Sequence, residues 1–71
     1  MKQRKLLKKI AKEAKRQRVD WHLAREGSNH AIYRLGGKMI PVPRHTEIDE
    51  SLAAMIFKEC ETELGERWWG R

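Results

Sequence analysis

His30 closes a short polar turn, Gly27-Ser28-Asn29-His30, and His45 ends a second segment, Ile40-Pro41-Val42-Pro43-Arg44-His45. Imidazole has an ordinary pKa of about 6.5, which leaves it mostly neutral near pH 7 and still basic enough to accept a proton. Such a base suits metal-free cleavage of RNA: it takes the proton of a ribose 2′-hydroxyl, whose oxygen then attacks the adjacent phosphorus. A nearby Lys or Arg would bias the imidazole toward its neutral form and stabilise the charge that builds on the phosphorane. Candidates are Arg34, which shares strand parity with His30, and Lys38 and Arg44 from the neighbouring strand. His45 is either the acid that protonates the leaving oxygen or a phosphate contact. Ser28 and Asn29 either shape the turn or touch a phosphate or base edge. Taken alone, His30 also has a plainer reading, as a surface histidine at the start of a strand, hydrogen-bonded to its turn.

Other site chemistries find less support. His22, His30, His45 and Cys60 contain no tight ligand pair of the zinc type, so neither a metal nor another cofactor is expected. Ser28 with His30 invites a serine hydrolase, but no acid or oxyanion hole accompanies them. His22 alternates with Trp21 and Leu23 and is expected on the exposed side of a strand. The single cysteine, Cys60, has no internal disulfide partner, which suits a reducing compartment.

The charge around these residues is uneven. Residues 1–18 hold nine basic side chains and one acid, residues 19–46 carry a balance of +2, and residues 47–71 carry −4, for a net charge of +6. A basic end of that strength either attracts polyanions, of which RNA and DNA are the commonest in a cytoplasm, or is a solvated helix face that only keeps the protein soluble. With 37% charged residues and no apolar run near the roughly 20 residues needed to cross a bilayer, no membrane span is expected. The first residues lack the apolar segment of about 7 to 15 residues that a signal peptide carries, so the expected location is the cytoplasm.

The elements that must position the candidate residues follow from periodicity. Over residues 3–17, Leu6, Leu7, Ile10, Ala11 and Ala14 recur at helical spacing, with Lys5, Lys8, Lys9, Lys12, Lys15 and Arg16 around the rest of the circumference. This is a basic amphipathic helix suited to phosphate. It carries no Trp or Phe at its apolar boundary, which argues against a membrane surface. The period then changes to two, predicting strands over about 19–25, 30–35 and 38–42, with Val19, Trp21 and Leu23 on one face of the first. Gly36-Gly37 reads as a tight hairpin turn, and Pro41 either puts the third strand at a sheet edge or bends it at that point. The helical period returns over about 50–64, with Asp49 as N-cap, Ile48 stapling to Ala53, and Gly65 as the stop. Residues 66–71 are too short for an element, and Trp68 and Trp69 are expected to pack back on the sheet or the second helix. The expected fold is a single α+β domain of helix, three-stranded antiparallel sheet and helix, with both helices on one sheet face. That layout is the one found in double-stranded-RNA-binding domains. A chain of 71 residues has a small core, worth only about 3 to 5 kcal/mol.

The Gly27-Ser28-Asn29-His30 turn, the glycine hairpin and the Val42-Pro43-Arg44-His45 segment, in that order and at this spacing, resemble the HicA family of bacterial toxins. The resemblance runs from the first helix to about Leu64. It implies a small endoribonuclease that cleaves messenger RNA and is held inactive by a HicB-family antitoxin, with the catalytic histidine falling on His30. Asn29 stands where many members have a second histidine, and Trp68-Trp69 lies beyond the common pattern. A reading from a different class is a non-catalytic RNA-binding module using the basic helix and the open rim. A third is a partner-only role in which the basic surface recognises an acidic protein.

Overall fold

A computed structural model describes residues 1–70. The elements are α1 (Gln3–Gln17), β1 (Trp21–Glu26), β2 (His30–Leu35), β3 (Lys38–Pro43), α2 (Glu50–Glu59), α3 (Glu61–Leu64) and a 3₁₀ turn, η1 (Trp68–Gly70). The strands form an antiparallel meander in the order β1-β2-β3. This is the helix, sheet, helix arrangement expected from the sequence. Paired residues of antiparallel neighbours share a face. Ala31 and Leu35 of β2 and Ile40 and Val42 of β3 are buried and point to one side. There Leu35, Ile40 and Val42 meet Leu6, Ile10 and Ala14 of α1 and Ala53, Ile56 and Phe57 of α2. The other face, with His30, Arg34 and Met39, is open to solvent.

Several boundaries differ from the periodicity. β1 starts at Trp21 rather than at 19, because Arg18 takes a left-handed conformation (φ 60°) and the Val19 N–H closes the helix end on the Ala14 carbonyl at 2.8 Å. The helix expected over 50–64 is broken at Cys60. Its N–H is shared between the Ile56 and Phe57 carbonyls at 3.2 and 3.1 Å, a local tightening after which Leu64 again bonds Cys60 at 2.8 Å. Asp49 caps α2 by accepting from the Ser51 N–H, Ile48 is buried beside it, and Gly65 ends α3 at φ 98°. The tail does form a short element, anchored where the Trp68 Nε1 donates to the Phe57 carbonyl at 2.8 Å and the two rings meet edge to face at 5.2 Å.

Only Gly36 of the two hairpin glycines has positive φ, at 57°. Leu23 points with Trp21 but is 43% exposed, because the helices leave that part of the sheet uncovered. β1 also carries a bulge that puts Ala24 out of register: Leu23 pairs with Tyr33 and Arg25 with Ile32. The alternation expected for β1 therefore holds only as far as Leu23.

The N-terminal residues pair with the segment before α2. The Gln3 N–H donates to the Thr46 carbonyl and the Ile48 N–H to the Met1 carbonyl, at 2.8 and 2.7 Å. This sets the start of α1 beside the end of β3, where the Gln3 side chain also donates to the Pro43 carbonyl at 2.9 Å. At the other end of α1 the Gln17 amide donates to the Leu64 carbonyl at 2.8 Å.

Candidate nucleic-acid interface

His30 is exposed at the first position of β2, opposite Pro43. Its turn is tight: the Gly27 N–H donates to the His30 carbonyl at 2.8 Å, and a Cβ at position 27 would stand 2.8 Å from that same oxygen. Any side chain there would force the turn open, which is why glycine holds the position. Arg44 clamps the turn from the end of β3. Its N–H reaches the Asn29 carbonyl at 3.3 Å, its Nε donates to the Gly27 carbonyl at 3.0 Å, and its Nη2 pairs with Glu26. Ser28, Asn29 and His45 are exposed around this corner.

The other expected neighbours of His30 lie elsewhere. Arg34 does share its face, but four residues of strand, at roughly 3.4 Å each, separate the two positions, and its Nε is turned to the Gly36 carbonyl at 3.0 Å. Lys38 pairs with the buried Leu35, so it projects from the helix-covered face at the far end of the hairpin. There it faces Cys60, where its charge opposes the upward shift that burial imposes on the thiol. Arg25 was missed by the sequence pattern. Strict alternation would put it with Trp21 and Leu23, but the Ala24 bulge sets it opposite Ile32, on the open face and diagonal to His30. An irregular β1, polar from Arg25 onward, was the only sequence signal available.

α1 divides its cations between two environments. Lys9, Lys12 and Lys15 are exposed, and Arg16 is held by Glu13, whose carboxylate accepts from its Nε at 3.1 Å and raises its pKa. Arg4, Lys5 and Lys8 instead rim a groove of about 720 Å³ together with Lys2. Its floor is Leu7 and Ala11 of α1 with Trp21 and Tyr33 of the sheet. The two rings stack at 4.6 Å between centroids and 10° between planes. Leu7 and Ala11 thus belong to the apolar stripe while being only partly covered. Lys2 and Arg4 also line a smaller cleft of about 320 Å³ with Gln3, Thr46 and Arg44. A cationic path therefore runs from the aromatic pair, past the start of α1, to the arginine that clamps the His30 turn. Lys2 is paired with Glu47 at 3.0 Å, and this hydrogen bond holds the Glu47 carboxyl below its usual range.

Among the described residues no helix is long and apolar enough to cross a membrane, and no group of three or more His, Cys, Asp or Glu is placed to hold a metal ion. Comparison with protein-family models, with curated proteins and with solved structures finds no match to this chain.

Proposed function

We propose that this chain is a metal-independent endoribonuclease acting in the cytoplasm, with His30 as its general base and a HicB-type antitoxin as its inhibitor, as the resemblance to HicA implies. The observation that carries the reading is the exposed imidazole on the open sheet face, fixed by a glycine-dependent turn and flanked by Arg25 and Arg44. His30 takes the proton from a ribose 2′-hydroxyl, the 2′-oxygen bonds to the adjacent phosphorus, and the bond from phosphorus to the 5′-oxygen breaks. The products are a 2′,3′-cyclic phosphate and a 5′-hydroxyl. His45, two residues past the strand partner of His30, is the candidate to protonate the departing oxygen. General base action by one histidine is worth about 10²- to 10⁴-fold, so the enzyme is slow.

A second reading, a non-catalytic RNA-binding module, is favoured by a specific feature: Arg34 and Lys38 stand away from His30, and the charge of Arg44 is partly met by Glu26. Incubating wild type and His30→Ala with a labelled transcript in excess chelator separates the two. The nuclease reading expects cleavage by wild type only, with RNA affinity largely kept in the variant because Lys and Arg supply it. Equal cleavage by both proteins removes His30 from the chemistry, and no cleavage by either leaves the binding module.

A further inference from the structure

We propose that the groove between α1 and β1 is a binding site for single-stranded nucleic acid, in which an unpaired base lies against the Trp21–Tyr33 pair and its flanking phosphates meet Arg4, Lys5 and Lys8. The inference shares with the nuclease reading the premise that the ligand is nucleic acid, but it does not depend on cleavage.

Three observations converge on it. The first is the floor: a partly buried indole, one face already stacked on Tyr33 at 4.6 Å and 10°, stands on an edge strand with no neighbour beyond it. A preformed flat aromatic surface accepts any base and loses little side-chain freedom on binding. The second is the rim, whose charged side chains are all cations: Lys2, Arg4, Lys5 and Lys8. A ligand with alternating planar apolar groups and negative charges matches a floor and rim of this kind. The third is continuity. Lys2 and Arg4 belong both to this groove and to the cleft that reaches Arg44, so a chain seated on Trp21 is led toward the corner holding His30. A duplex hides its bases in the stack and offers this floor nothing. The ligand is therefore unpaired, in contrast to the double-stranded partner that the helix-sheet-helix layout would suggest.

The test measures binding in the His30→Ala background, so that no cleavage occurs. Fluorescence anisotropy compares a labelled 12-nucleotide single strand with an abasic strand of the same length and charge. We expect the base-bearing strand to bind about 5- to 150-fold more tightly, the range that stacking of one base provides. Trp21→Leu, which keeps an apolar side chain at the position, is expected to remove this preference while leaving the affinity for the abasic strand unchanged. A second variant, Lys5→Ala with Lys8→Ala on the exposed surface of α1, is expected to weaken both strands equally and to flatten the salt dependence. Equal affinity for the two strands in the unsubstituted groove overturns the proposal without any variant. So does a base preference that survives in Trp21→Leu, or displacement of the base-bearing strand by a polyglutamate peptide as effectively as by unlabelled strand, which would assign the groove to an acidic protein. Absence of cleavage by the wild type bears on the nuclease reading alone.

Discussion

Cys60 sits at the junction of α2 and α3 with none of its surface exposed, and burial pushes its thiol up to about 12, with Glu59 adding to the shift and Lys38 opposing it. In the unfolded chain the same thiol titrates near 9.0. Between these values the folded protein keeps a proton that the unfolded chain has released, so stability falls as pH rises, by about 1.4 kcal/mol per unit. The loss amounts to about 1.4 kcal/mol at pH 10 and about 2.7 kcal/mol at pH 11. That is a large part of the few kcal/mol a domain of this size holds. Urea denaturation of wild type and Cys60→Ala between pH 7.5 and 11 measures it. Lysines and Tyr33 are present in both proteins, so their ionisation cancels in the difference. Cys60→Ala starts less stable because it loses a buried sulfur, and its deficit is expected to shrink by the amounts above as pH rises. Parallel stability curves for the two proteins across the whole range would refute the reasoning.

Two further expectations concern the fold that carries the site. Gly36→Ala places a Cβ at φ 57°, with Val19 Cγ1 at 3.2 Å and the Glu63 carboxyl pressed against it. It should cost about 1 to 2 kcal/mol, whereas Gly37→Ala, with open space at that position, should change stability by less than about 0.5 kcal/mol in the same denaturation assay. Trp68→Ala removes a ring that is 4% exposed together with its hydrogen bond to the Phe57 carbonyl, and should lower stability by about 3 to 5 kcal/mol, enough to unfold much of the population at 25 °C. Trp68→Phe keeps part of the packing but not the donor, so its thermal midpoint should fall between those of wild type and Trp68→Ala.

The periods of the chain made the order of elements legible. Leu6, Ile10 and Ala14 lie on one side of a helix whatever the rest of the molecule does, and Ala31 and Leu35 share a strand face by the same local geometry. The His30 turn was legible for a related reason, since glycine, serine and asparagine favour turns through their own backbone and side-chain chemistry. The surroundings of His30 were less so. Membership of the next strand groups Lys38 with His30, but parity and strand end are both decided by the register of the hairpin, and there Lys38 meets Leu35. Arg25 is not legible because a single bulged residue reverses the facing of everything after it, and no residue type in Leu23-Ala24-Arg25 announces the bulge.

The sequence by itself therefore determined the amphipathic basic helix, the three-stranded meander, the capped second helix and an exposed turn ending in histidine, because each is specified by neighbours a few residues apart. Tertiary structure alone decided that Leu7 and Ala11 stay partly uncovered, that Trp21 stacks on Tyr33 beneath a rim of lysines and Arg4, and that Arg44 clamps the His30 turn. These relations join residues from 10 to 31 positions apart. They arise from where α1 comes to rest on the sheet, which is fixed by the packing of its buried stripe against β2, β3 and α2 and by the pairing of residues 1–3 with 46–48. Local periodicity selects which face of a helix is buried, but how much of that face its partners cover depends on the shapes of all of them together.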